Sequence, residues 1–401
     1  MPNADLSVVL VTNSYYPADQ EGGPPFSNRE LARSLARAGA RVSVLTTDRN
    51  GNSRLAGPTD RWVRVDDASV YYARTGRGTW LRSRGFGPAA AQAIRGADVC
   101  ILSAVFWSYT GLSAWLACRY FGVPYVTYAR GFLSRWALGQ KSIKKAVYWR
   151  LIARRIVNGS NALVALAEQE QRDFARLGLA PPVAVIPNGA RVDETQASDD
   201  REDGARMFDT AEIGGDYFLF LGRIHAKKGL DLLLPAFERC VHAGCDARLV
   251  IAGPVDRSYE VEFARLLASC RARERVVVAG TVSGAPKSRL IRAARAFVLS
   301  SYSEGLPVAV LEALSAGIPV VITTGCNLPE VATQHAGVVV DYSAASLAEG
   351  MIRVWSDAPL RSELSGNALR LARERFSWDA VGARAADLCR RVARGENVHV
   401  A

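Results

Sequence analysis

The sequence holds only four histidines, at positions 225, 242, 335 and 399, and none in its first 190 residues. Positions so dispersed make neither a catalytic triad nor a metal set, and no metal is expected. Seven cysteines (100, 118, 240, 245, 270, 326 and 389) include no Cys-x-x-Cys pair and lie in apolar or helical stretches. They are expected to be reduced core thiols of a cytoplasmic protein, which excludes a disulfide-stapled module. No Asp-x-Asp motif occurs, and Asp200-Arg201-Glu202 falls in a polar, acidic run that reads as solvated linker. Long apolar runs are also missing. The segment 6–12 is too short to span a bilayer and has no basic flank, so a buried strand is expected there rather than a signal peptide.

What is present is a chain of 401 residues, 49% hydrophobic and 22% charged, which excludes disorder and predicts two domains. Its net charge of +11 is uneven. Residues 1–190 carry 24 Lys+Arg against 12 Asp+Glu, whereas 191–401 carry 26 against 27. The basic half implies an anionic partner (nucleic acid, an acidic membrane surface or a phosphate-bearing substrate) or else an arginine-rich solvated surface.

Apolar runs and helical periods alternate along the chain. The first half predicts strands at 7–12, 41–47, 99–104, 125–128, 162–167 and 183–187. A polar loop, 13–27, with Gly22-Gly23-Pro24-Pro25, precedes a helix at 28–38 that Gly39 ends. Residues 195–216 read as linker. Strands then follow at 217–221, 247–252, 276–279, 296–300, 319–323 and 337–340, with helices at 230–243, 259–270, 306–316 and from 346. Two α/β halves with mostly parallel sheets follow, and ligands of such sheets bind beyond the carboxyl ends of the strands.

The chemistry concentrates in Ser300-Ser301-Tyr302-Ser303-Glu304-Gly305-Leu306-Pro307, which runs on to Glu312. Gly305 allows close approach of a ligand, and Pro307 suits the first turn of a helix whose amides and dipole would face an anion. Glu312, eight residues after Glu304 and about two turns on, suits the vicinal hydroxyls of a ribose. Glu304 and Glu312 resemble the Glu-x7-Glu signature of retaining glycosyltransferases with the GT-B fold, specifically the large glycosyltransferase family 4 (group 1). The segment from Gly222-Arg223 to Lys228-Gly229 is similar to the family's Gly-Arg-x4-Lys-Gly element, whose Arg and Lys grip the donor's diphosphate. Further segments with family counterparts are Ile186-Pro187-Asn188-Gly189, the Gly280–Val282 loop beside the base, Asn327-Leu328-Pro329-Glu330 and Phe376-Ser377-Trp378.

The resemblance implies two Rossmann-like domains facing across a cleft: an acceptor domain at 1–190, a nucleotide-sugar donor domain at 191–372, and a C-terminal helix, 373–401, returning to the first. It implies donor binding by Arg223, Lys228, Gly305, Leu306, Pro307, Glu312, Gly280 and Val282, with Gly22 and Gly23 approaching the donor phosphate, and Glu304 holding the transferred sugar. Many members carry a histidine after the fourth strand of the first domain. Arg130 stands there in this chain, and a guanidinium can hold a hydroxyl or a phosphate oxygen but cannot shuttle protons.

Between 134 and 155, Lys141, Lys144, Lys145 and Arg150 alternate with apolar residues and with Trp149. That composition suits a segment on an anionic bilayer, or one whose apolar side simply packs on the sheet. It resembles the subset of the family that assembles bacterial surface polysaccharides on lipid-linked acceptors. The implied activity is metal-independent, retaining transfer of a hexose from a GDP- or UDP-linked donor to a glycan or polyprenyl-diphosphate-linked acceptor, in exopolysaccharide or lipopolysaccharide biosynthesis. The enzyme would be peripheral on the inner face of the plasma membrane, with no cofactor and no nucleic-acid partner. The alternatives are a nucleotide-sugar epimerase of the same fold and a non-catalytic scaffold.

Overall fold

A computed structural model describes residues 6–18, 20, 23–51, 53–76, 80, 82–103, 108–133, 147–190 and 213–398. The chain forms two compact units. The first is Met1–Gly189 together with Trp378–Ala401, and the second is Ala190–Ser377.

The first unit is built on an eight-stranded sheet. Its strands run in the spatial order Val183–Val185, Ala162–Ala165, Tyr125–Tyr128, Val99–Ser103, Ser7–Thr12, Arg41–Thr47, Ala68–Ala73 and Trp62–Val65. All neighbours are parallel except the last pair, where Trp62–Val65 adds an antiparallel edge. The central strand has Val8 paired to both Val42 and Val99 and is covered on both faces, which is why its sequence is one apolar run. The edge hairpin is absent from the sequence reading, because its outer strand alternates exposed and half-buried residues.

The helix Gly23–Arg37 begins five residues before the expected start at 28, so part of the expected loop is helical. Pro24 and Pro25 occupy its first turn, where a missing N–H removes no hydrogen bond and the ring presets φ. The terminal helix Trp378–Ala393 packs beside it. Gly382 makes the closest approach, since a Cβ there would lie 2.5 Å from the Ser34 Cβ. Trp378, Val381, Ala385, Leu388, Cys389 and Val392 thereby join Val8, Leu10, Leu31 and Leu35 in one core.

The second unit has six parallel strands in the order Val276–Gly280, Arg248–Ala252, Tyr217–Leu221, Ala296–Leu299, Val320–Thr323 and Gly337–Val340. The helix expected from 346 is two helices, Ala344–Ser356 and Ala358–Leu371. Asp357 separates them and caps the second by accepting from the Leu360 amide. The linker read at 195–216 lies mostly outside the described residues. All seven cysteines are buried and unpaired. Among the described residues no helix is long and apolar enough to cross a membrane.

Candidate functional site

In the second unit the strand order reverses between Tyr217–Leu221 and Ala296–Leu299, and the crevice beyond such a reversal is where doubly wound sheets bind ligands. The loop after the first strand carries Arg223 and Lys228, and the loop after the second carries Ser300 to Glu304. The two loops are sewn together. Ser300 Oγ donates to the Lys228 carbonyl at 2.8 Å, and the Tyr302 amide donates to the Lys227 carbonyl at 2.8 Å. Gly229 permits this closeness: its φ is +66°, and a Cβ there would fall 2.1 Å from the Ser300 oxygen.

The outcome is an ion pair, with Lys228 Nζ 2.6 Å from Glu304 Oε1, and Ser301 Oγ donates to the same oxygen at 2.5 Å. The backbone of Glu304 is pinned as well. Its amide donates to the Gly325 carbonyl at 2.8 Å, and its carbonyl accepts from Asn327 Nδ2 at 2.7 Å.

Glu304 precedes the helix Val308–Ser315, as its place at the end of a strand implies, and Glu312 lies on that helix; Pro307 is the cap residue rather than part of the first turn, so the helix starts two residues after the expected 306. Residues 300–304 are held to the neighbouring loops instead of coiling. No side chain caps this helix, which leaves its N-terminal amides and its positive end to a ligand. Gly305 is exposed, Leu306 is half-buried against the core and Pro307 is buried.

Glu312 has its own cation, Lys287 Nζ at 2.7 Å from Oε1, while its Oε2 is buried with no hydrogen-bond partner among the described residues. An orphan carboxylate oxygen costs free energy unless something donates to it. Lys287→Met is expected to leave Glu312 free to turn away and to raise the KM for the donor about tenfold, read by steady-state kinetics.

Arg223 is not brought to this pair. It is mostly exposed and its nearest carboxylate is Asp256, at 3.9 Å. Hydrogen bonds from the Ser258 hydroxyl and amide, with a small contribution from Arg223, hold the Asp256 carboxyl below its ordinary range. Gly280 ends its strand at φ +70°, and the Val282 side chain is packed in the core, so only its backbone can face a ligand.

In the first unit Arg130 sits just past Tyr125–Tyr128 with φ +50°, a left-handed backbone unusual for a residue with a Cβ. The turn is held by Glu170, whose carboxylate accepts from the amides of Gly131 at 2.5 Å and Leu166 at 2.7 Å. Burial pushes the Glu170 carboxyl up, while those amides and Arg130 pull it down. Gly23 is the first residue of its helix, and a Cβ there would meet nothing within 4 Å.

Gly22, Lys141, Lys144 and Lys145 lie outside the described residues. Arg150 is exposed, but Trp149 packs against the cluster of Ala129, Leu133, Val157, Leu163 and Phe174. The exposed apolar side chains beside Arg150 are Val147 and Leu151, so the face offered to an apolar partner differs from the one expected around Trp149.

The sequence reading missed Lys287, Ser301 and Asn28. Lys287 and Asn28 act far along the chain and carry no local signal. Ser301, three residues before Glu304, could have been found from spacing alone.

Residues 208–370 match the family model described as glycosyl transferases group 1, and residues 22–189 match the glycosyl transferase 4-like domain. A D-inositol 3-phosphate glycosyltransferase of Xylanimonas cellulosilytica is 30% identical over 244 residues, 58% of each chain. The chain spans about half the length of the curated relatives it matches. Two solved structures share the fold. Sucrose-phosphate synthase from Thermosynechococcus elongatus has a TM-score of 0.69 at 18% identity, covering 98% of this chain and 100% of its own. WaaG, described as a glycosyltransferase of lipopolysaccharide biosynthesis, has a TM-score of 0.63 at 18% identity, covering 95% of this chain and 99% of its own.

Proposed function

The chain belongs to the group 1 glycosyltransferases and has the GT-B fold, and from that premise we propose that it transfers a hexose from a GDP- or UDP-linked donor to a glycan or lipid-linked acceptor. The observation that carries this reading is the Lys228–Glu304 pair at the strand-order reversal of the second unit, beside an uncapped helix N-terminus. Lys228 and Arg223 supply positive charge where a nucleoside diphosphate leaves, and the helix amides add to it. Glu304 accepts hydrogen bonds from hydroxyls of the transferred sugar. The orphan oxygen of Glu312 accepts from the ribose hydroxyls.

Transfer on this reading retains configuration. The bond from the anomeric carbon to the diphosphate oxygen breaks, the acceptor oxygen bonds on the same face, and its proton passes to the departing phosphate. No protein base is then required, which suits a stretch of residues 1–190 without histidine. Metal independence follows if the two cations and the helix amides carry the leaving group's charge. A panel of UDP-, GDP- and ADP-sugars, scored for nucleotide release with and without a membrane extract, tests the reading. Arg223→Ala is expected to raise the donor KM about tenfold, as for loss of one charged contact. Release without acceptor dependence, accompanied by isomerised donor, would identify an epimerase instead.

A second observation favours docking on an anionic membrane, as in bacterial exopolysaccharide or lipopolysaccharide assembly. Exposed Val147 and Leu151 stand among exposed Arg150, Arg154 and Arg155. Such a face joins apolar insertion to attraction for acidic headgroups. Co-sedimentation with phosphatidylglycerol vesicles should be strong in low salt and lost in high salt. Equal binding to neutral vesicles would refute it.

A further inference from the structure

The strand order of the first unit also reverses, between Ser7–Thr12 and Val99–Ser103, and a chain of buried polar side chains runs across the ends of those two strands. Asn28 Nδ2 donates to Thr12 Oγ1 at 2.8 Å, Ser103 Oγ donates to Asn28 Oδ1 at 2.8 Å, and Arg130 Nε donates to Ser103 Oγ at 2.8 Å. Arg130 Nη1 donates further to Ser27 Oγ and to Asn188 Oδ1, both at 2.9 Å. Every one of these acceptors is neutral. Among the described residues the only carboxylate acting on the guanidinium electrostatically is Glu170, whose two oxygens are taken by backbone amides. Among the described residues Arg130 makes no ion pair, and its Nη2 makes no hydrogen bond.

A half-buried guanidinium without a counter-charge is costly. Burial lowers its pKa to about 10, so it stays charged at neutral pH. It also sits on a left-handed backbone that a non-glycine residue adopts only when held there. Three of its five donors are oriented by neutral partners, and the one nitrogen left over, Nη2, lies where the fold places ligands. A hydroxyl would satisfy that nitrogen but would leave the charge uncompensated, whereas an oxyanion does both.

Resting on the glycosyltransferase reading, we propose that Arg130 is the seat of a phosphate or carboxylate group on the acceptor, so that this chain glycosylates an acidic acceptor. The donor's diphosphate has its own cations in Lys228 and Arg223. The excess of basic residues, in turn, lies within 1–190, the half that contains Arg130. Asn28, Ser103, Ser27 and Asn188 are positioning residues that aim the guanidinium.

The test is calorimetric titration of the full chain with inorganic phosphate, glucuronate and glucose. The expected result is binding of both anions and not of glucose, unchanged in Arg223→Ala and weakened at least about tenfold in Arg130→Met, with Arg130→Lys between. Phosphate binding lost in Arg223→Ala and kept in Arg130→Met would overturn the proposal, because the anion would then sit with the donor's cations. No binding of either anion would overturn it too. Should Arg130→Met fail to fold, phenylglyoxal labelling of the unaltered chain decides. Phosphate should slow modification of Arg130 in the mass spectrum, and an unchanged rate refutes the seat. Titration with UDP and GDP reads the donor site separately. Nucleotide binding absent while Arg130 still takes phosphate would sink the transferase reading and leave the anion seat standing.

Discussion

Glu304→Gln is expected to lower kcat about 100- to 1,000-fold while the protein stays folded. The magnitude is that of removing one preorganised polar group from a charge-developing site. Folding should survive because the loop is held by its backbone, through the Glu304 amide on Gly325 and the Glu304 carbonyl on Asn327. What is lost is the anion that orients Lys228 and, on the proposed reading, accepts from a sugar hydroxyl, at a stability cost on the order of 1 kcal/mol for a partly solvated pair. Nucleotide release under saturating donor, beside a thermal melt, separates the two effects. A kcat within about threefold of the parent would remove Glu304 from the reaction; the 100-fold threshold is set by the same electrostatic range.

Gly229→Ala is expected to give a large loss of stability. Its Cβ would meet the Ser300 carbonyl oxygen at 2.1 Å, on a backbone at φ +66° that alanine disfavours. Strain and displacement together should cost about 3 kcal/mol or more. For a unit of this size that lowers Tm by roughly 6–12 °C. Because Lys228 and Ser300 move apart, donor affinity should fall as well. Gly23→Ala is the contrasting variant: no atom lies within 4 Å of the added Cβ, so its melt should match the parent's. Equal melts for both variants would contradict the packing described for Gly229.

Much of this architecture was legible in the amino-acid order. The strands Ser7–Thr12, Arg41–Thr47, Tyr125–Tyr128, Tyr217–Leu221 and Gly337–Val340 have the bounds that their apolar runs predict. In the inner strands, covered on both faces, there is no room for polar alternation, so the run and the strand end together; Gly337–Val340 is a half-buried edge strand. The start of the helix at Gly23 was hidden because Gly-Gly-Pro-Pro is turn chemistry in isolation, and only packing shows that two prolines fill a first turn. The site divides in the same way. Glu304 and Glu312 could be named from their spacing and Lys228 from its resemblance to a family segment, but their partners could not. Lys287 reaches Glu312 from 25 residues upstream and Asn327 reaches Glu304 from 23 residues downstream, and neither separation carries a periodic signal. Arg130 was visible as a departure at a known position. That its partners are all neutral became visible only in three dimensions.

The terminal helix has a consequence for how the chain is made. Trp378, Val381, Ala385 and Leu388 complete a core begun by residues 8–35, and the whole of Ala190–Ser377 is threaded between them. During synthesis the later-translated second unit can close its own sheet first, while the earlier-translated one waits with an apolar groove open beside Gly23–Arg37 until the final turns leave the ribosome. Birth order and folding order are thus reversed, and a chain stopped near Ser377 should be a client for chaperones rather than a smaller protein.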